Sequence, residues 1–131
     1  MIVVDTTVWV DYLRGTSSPH TAWLESNLAV ERLGLTDLIL CEVLQGVGTD
    51  AQFDAVQAEL LRFEVHETGT IELAVEAATN YRRLRAVGRT VRRTIDCLIA
   101  TFCLVEGHAL LHNDRDYDPF EEHLGLKVIH P

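Results

Sequence analysis

The sequence predicts an α/β fold, a three-layer α/β/α domain around a mostly parallel sheet of four or five strands. Three observations carry this reading. Short apolar runs alternate with longer segments of helical periodicity, Asp, Thr or Gly residues mark the junctions, and the runs lie too far apart for hairpins. With 131 residues the chain suits one domain, residues 1–131, able to bury about two thirds of its unfolded surface.

Met1 to Val4 is a β-branched run ending at Asp5, the first strand. Val8, Trp9, Val10, Tyr12 and Leu13 then sit at helical spacing until Gly15 ends the pattern. A second short helix is expected from His20 to Ala29, with Trp23, Leu24 and Leu28 on one side, and a second strand from Arg32 to Leu35. Thr36 or Asp37 caps a helix from Leu38 to about Val47, and Asp50 caps another from Ala51 to Arg62. Phe63 to His66 reads as the third strand. Thr70 to Val87 is a long helix with Ile71, Leu73, Ala74, Ala77, Ala78, Tyr81 and Leu84 as its apolar positions, stopped at Gly88. Ile95 to Glu106, opened by Thr94, is apolar almost all round and belongs at the centre. Ala109 to His112 and Lys127 to Ile129 are the last strands, separated by a short helix from Pro119 to about His123.

Composition narrows the class. No apolar run reaches the roughly 18 residues of a membrane span, and the N-terminus has no charged region ahead of an apolar one, so the chain is expected in the cytoplasm with no membrane partner. Cys41, Cys97 and Cys103 lack CxxC or Cys/His zinc spacing and read as small core hydrophobes. The formal charge of −9 by itself argues against a nucleic-acid partner, but six of the ten arginines fall between Arg82 and Arg93. That basic run precedes Asp96 directly, compatible with a phosphodiester substrate or with an ordinary solvated helix end.

Four carboxylates occupy positions where a domain gains least from them. Asp5 follows the first strand, Glu42 lies within Leu38 to Leu44, Asp96 opens the central helix, and Asp114 follows the fourth strand. Ligands of an open parallel sheet bind beyond the carboxyl ends of its strands, and Asp5 and Asp114 both fall at that rim. Crowded carboxylates beside an apolar core require a cation, and an all-oxygen donor set selects Mg²⁺ or Mn²⁺. Each acid also has a commonplace alternative: a helix cap for Asp5, a dipole complement for Asp96, a solvent stripe for Glu42. It is their joint occurrence that argues for a metal. Among the later acids, Asp118 precedes Pro119 and stands three residues before Glu121, a capping-box-like pattern, which leaves Asp114 and, secondarily, Asp116 for metal. His112 reads as a packed or hydrogen-bonded strand residue.

These residues, in this order, resemble the PIN-domain nucleases, in particular VapC-type toxins of bacterial toxin–antitoxin pairs. The opening Val4-Asp5-Thr6-Thr7-Val8-Trp9-Val10-Asp11-Tyr12-Leu13-Arg14-Gly15 is similar to the family's N-terminal signature. Thr94-Ile95-Asp96-Cys97-Leu98-Ile99-Ala100 is similar to its third-acid helix, and Leu110-Leu111-His112-Asn113-Asp114-Arg115-Asp116-Tyr117 to its terminal acidic motif. The segment Leu40-Cys41-Glu42-Val43-Leu44 carries little by itself. The resemblance implies a PIN-like fold in which Asp5, Glu42, Asp96 and Asp114 are catalytic and bind metal, with Asp116 an accessory ligand and Thr7 a hydroxyl beside the site. It further implies a homodimer, an RNA substrate such as structured tRNA or rRNA, and inhibition by a VapB-type antitoxin. Arg89, Arg92 and Arg93 are the candidate contacts to the RNA backbone.

Rival readings are a receiver-like signalling domain, a dehalogenase-type phosphatase, and a non-catalytic RNA- or protein-binding module. The first wants paired acids and a late lysine, yet Lys127 is the sole lysine and lies inside the last strand. The second wants Asp-x-Asp, where this chain has Asp5 followed by Thr7.

Overall fold

A computed structural model describes all residues, Met1–Pro131. In chain order the elements are β1 (Ile2–Val4), α1 (Thr6–Leu13), α2 (Pro19–Asn27), β2 (Leu33–Thr36), α3 (Asp37–Gln45), α4 (Asp50–Leu60), β3 (Glu64–His66), α5 (Ile71–Ala86), α6 (Thr94–Glu106), β4 (Ala109–Leu111), α7 (Asp118–Leu124) and β5 (Lys127–Val128). A single 3₁₀ turn at Arg115–Tyr117, absent from the sequence reading, joins β4 to α7.

The five strands form one parallel sheet in the order β3-β2-β1-β4-β5. From β1 the chain builds outward through β2 and β3, then returns to the other side of β1 for β4 and β5. The order reverses between β1 and β4, and this switch point opens a crevice at their carboxyl ends. Asp5 stands there, its amide donating to the Leu111 carbonyl at 2.9 Å.

Helix caps differ from expectation in three places. Thr49, one residue earlier than Asp50, caps α4 by accepting from the Gln52 amide. At α6 the N-cap is Arg93 with no side-chain cap bond, so Thr94 is the first helical residue rather than the cap. Asp118 likewise begins α7 without capping it, because the preceding 3₁₀ turn already holds Tyr117 in helical geometry and leaves no extended residue for a capping carboxylate. Thr36 and Thr70 cap α3 and α5 through the amides of Ile39 and Leu73.

The core joins Val3, Val4, Leu35, Leu110 and Leu111 of the sheet to Trp9, Leu24, Ile39, Ile99 and Phe120 of the helices, all fully buried. Helix α6 buries seven of its thirteen residues, as its all-round hydropathy requires. Two expectations about core membership fail. Cys41 is exposed while Cys97 and Cys103 are buried. It follows Ile39 by two positions, about 200° around the helix, so it faces away from the side on which Ile39 and Val43 pack. On α5 the buried stripe is Leu73, Ala77, Asn80 and Leu84, and Ile71, two residues ahead of it, is 81% exposed.

Gly34 lies where β2 meets β3 and has no room for a side chain. A Cβ there would strike the Met1 sulfur and come within 2.7 Å of the Glu64 carbonyl oxygen.

Candidate metal centre

The switch point gathers the acids from both sides. Asp5 is the N-cap of α1, accepting from the Thr7 amide at 3.2 Å and from the Thr7 hydroxyl at 2.7 Å, both on Oδ2. The cap seen as its commonplace alternative is therefore real, and it engages one carboxylate oxygen. The other, Oδ1, accepts from the Tyr117 hydroxyl at 2.8 Å. That hydroxyl also lies 3.4 Å from Asp96 Oδ1, so a fully buried phenol joins the acid after β1 to the acid of α6.

Asp114 follows β4 and caps the 3₁₀ turn, its Oδ1 accepting from the Asp116 amide at 2.9 Å. The Asp114 amide itself donates to His112 Nδ1 at 3.1 Å. Nε2 of His112 therefore carries the ring hydrogen, and it is buried without a partner. Burial also holds this imidazole below its usual pKa, which keeps it neutral beside the cluster. Glu42, within α3 and only 13% exposed at its side chain, receives the Thr6 hydroxyl at 2.8 Å.

Asp96, Asp114 and Asp116 offer carboxylate oxygens all within 4.8 Å of one another. Asp5 joins this trio through Tyr117, and Glu42 joins it through Arg93, whose guanidinium lies 3.8 Å from Glu42 Oε2. The structure thus brings together all five acids singled out in the sequence, with Asp116 a full member of the trio. Hydroxyls from Thr6, Thr7 and Tyr117 hold three of them, Glu42, Asp5 and Asp96. Thr6 and Tyr117 escaped the sequence reading. Tyr117 carried a signal, an aromatic three residues after Asp114 where a helical turn returns to the site.

Asp96 shows what the crowding costs. It is 1% exposed, and burial drives its pKa up to about 6 despite the opposing pull of Arg93. Asp5 and Asp114 add to the rise by repulsion. Tyr117, buried among the same charges, is held well above the usual phenol range and stays a hydrogen-bond donor. An all-oxygen set that strains its own ionisation suits a hard divalent cation.

The three candidate RNA-contacting arginines are placed differently from one another. Arg89 pairs with Glu122 of α7. Arg92 is 79% exposed and lies 3.8 Å from Asp116. Arg93 reaches into the acids themselves, with Nε 3.1 Å and Nη2 3.3 Å from the two oxygens of Asp96. A cleft of about 360 Å³ opens here, lined by Asp5, Thr7, Glu42, Arg93 and Asn113 among others. Beside it an apolar groove of about 410 Å³ runs between α1, α3 and α4 past Val10, Leu13, Val43 and Val56.

Comparison with known proteins agrees with this geometry. Residues 2–122 match the family described as PIN domain. The chain is 32% identical over 123 residues to Ribonuclease VapC11 of Mycobacterium tuberculosis and equally to VapC ribonuclease Mb1587 of Mycobacterium bovis, with 90% of each chain covered. The chain belongs to the PIN-domain family of nucleases and, within it, to the VapC ribonucleases. Its fold is that of VapBC2 from Rickettsia felis bound to a DNA fragment from their promoter, with a TM-score of 0.78 at 18% identity over 98% of both chains. VapBC-5 from Mycobacterium tuberculosis gives 0.70 at 21% identity, covering 98% of this chain and 97% of that one. Family membership sets aside the receiver-like and dehalogenase-like readings. No helix is long and apolar enough to cross a membrane.

Proposed function

We propose that this chain, as a single nuclease domain over residues 1–131, is the toxin of a toxin–antitoxin pair. It hydrolyses RNA phosphodiester bonds with Mg²⁺ or Mn²⁺, takes structured tRNA or rRNA as substrate, acts as a homodimer, and is neutralised by a VapB-type antitoxin. The observation that carries the reading is the convergence of Asp5, Glu42, Asp96, Asp114 and Asp116 on the β1/β4 switch point, in a chain whose relatives are named ribonucleases.

Asp96, Asp114 and Asp116 would hold the ion, with Asp5 and Glu42 completing the site from the other side. A divalent cation bound there supplies a water of lowered pKa and neutralises charge developing on the phosphate. The chain's own residues set the geometry. Thr7 and Tyr117 fix the two oxygens of Asp5 in opposite directions, so its carboxylate cannot rotate to follow a substrate. Thr6 binds one oxygen of Glu42, and the other faces the Arg93 guanidinium at 3.8 Å. Water is the nucleophile in this scheme and no side chain forms a covalent intermediate; attack that breaks the P–O3′ bond, with the 3′-oxygen leaving and taking a proton, gives a 5′-phosphate and a 3′-hydroxyl.

Purified protein incubated with total bacterial RNA tests the reading. Cleavage with Mn²⁺ or Mg²⁺, its loss in chelator, and inactivity of folded Asp5→Asn and Asp96→Asn proteins are expected. Metal-independent cleavage, or full activity of Asp96→Asn, overturns it. Sequencing the 5′ ends of the fragments identifies the substrate.

A further inference from the structure

Arg93 is placed unlike any other cation of the chain. It is the N-cap of α6, and its guanidinium is directed back across the first turn of its own helix into the acidic cluster. Nε and Nη2 form a fork on Asp96, at 3.1 and 3.3 Å, while Nη2 also lies 3.6 Å from Asp114 Oδ2 and Nη1 lies 3.8 Å from Glu42 Oε2. One side chain therefore meets acids from three separate segments, and two of these acids belong to the trio whose oxygens fall within 4.8 Å.

Three further observations bear on what this arrangement does. The Arg93 side chain is 55% exposed, so it enters the cluster from solvent and leaves it without disturbing the core. Asp96 is only 2% exposed at its side chain and has no other cationic partner, so Arg93 is the charge that balances it. The oxygens that the guanidinium touches are those a divalent cation would need, since Asp96 Oδ1 meets Nη2 and Asp96 Oδ2 meets Nε.

Resting on the nuclease reading above, we propose that Arg93 is an internal counter-ion that docks on Asp96, Asp114 and Glu42 in the metal-free protein, so that its docking and divalent-metal binding exclude one another. Arg93 thereby sets the metal concentration at which the site fills. A site whose competent form is only partly populated binds its ligand more weakly by that fraction, and removing the competitor restores the intrinsic affinity. The docked side chain also keeps the emptied cluster folded by relieving repulsion among its acids.

The test is calorimetric Mn²⁺ titration of wild type, Arg93→Gln, Arg93→Lys and Arg92→Gln at one pH and ionic strength, with melting in chelator alongside. Arg93→Gln is expected to bind Mn²⁺ about tenfold more tightly and to melt lower in chelator, a tenfold change corresponding to about 1.4 kcal/mol of docking. Arg93→Lys should fall between, since it keeps the charge and loses the fork. Arg92→Gln removes the same charge from a neighbour that is 79% exposed and meets only Asp116, at 3.8 Å, and a gain of about twofold or less is expected. In wild type the Arg93 Nε–H resonance should be protected without metal and lose that protection on adding Mg²⁺. Unchanged or weaker Mn²⁺ binding by Arg93→Gln overturns the proposal, as does an equal gain from Arg92→Gln or an Arg93 resonance indifferent to Mg²⁺. Binding by wild type with no difference in Arg93→Gln defeats this proposal and spares the nuclease reading, whereas binding by neither protein defeats both.

Discussion

The Tyr117 hydroxyl donates to Asp5 Oδ1 at 2.8 Å, across 112 residues of sequence. Both groups are buried, so this bond has no water to replace it. Hydrogen bonds to charged groups of this kind contribute roughly 1.5–3 kcal/mol. Tyr117→Phe should lose about that much stability in chelator by urea unfolding, and cleavage should fall because Asp5 gains freedom to rotate. A variant as stable and active as wild type would mean that the phenol only fills space.

Asp96 gives the metal-free protein a pH dependence of defined sign. Its native pKa of about 6 lies above the ordinary 3.8, so between these values the folded state holds a proton that the unfolded state has released. Its contribution to stability therefore declines as pH rises from about 4 to about 6 and is level above that. Asp96→Asn removes the ionisation and should be more stable than wild type at pH 7 in chelator, by roughly 3 kcal/mol, with the advantage vanishing near pH 4. Paired denaturation curves at the two pH values measure this. A mutant less stable than wild type at pH 7 and equal to it at pH 4 would mean that the pairing with Arg93 outweighs the cost of burying the carboxylate.

Thr6 and Thr7 lie next to one another and serve different acids, Glu42 and Asp5. Thr6→Val removes the hydroxyl with little change of shape and should cost about 1 kcal/mol or less of stability while lowering kcat several-fold, with KM for RNA nearly constant. Thr7→Val also strips the acceptor of the Asn113 amide, so its loss of stability should be larger. Equal effects of the two on kcat and on stability would show that the hydroxyls act as a pair.

Gly34→Ala should destabilise the sheet by about 1–3 kcal/mol, since the Met1 side chain can shift from the added methyl but the Glu64 backbone carbonyl of β3 cannot. Unfolding in urea reads this directly, and a neutral effect would mean that β2 and β3 separate easily.

The alternation of strands and helices was legible because the periodicities differ sharply. Element ends were read to within a residue or two in most cases, as with β4, read as Ala109 to His112 and found as Ala109–Leu111. The caps were harder, since Thr49 and Asp50 are both good capping residues and only backbone conformation chooses between them. Asp118 misled because its capping pattern is genuine in sequence but is pre-empted by a 3₁₀ turn that has no distinctive signature. The five acids were visible because carboxylates flanking apolar runs are costly, whereas Thr6 and Tyr117 are unremarkable residue types until the fold sets them against those acids. Arg93 was legible as a basic residue near the site, but nothing in a run of arginines distinguishes one that faces solvent from one that turns inward.

The strand that carries Asp5 is the first to be made and the central one in the sheet, flanked by β2 and β4. During synthesis, β1 has its β2 neighbour early but waits for Leu110 and Leu111 before its other edge is paired. Asp114, Asp116 and the Tyr117 phenol come later still. At about 5–20 residues per second, the interval from Asp5 to Tyr117 is on the order of ten seconds. Throughout that time the nascent polypeptide lacks the partners that assemble its acidic cluster, so the site is completed only once the segment after β4 has been made.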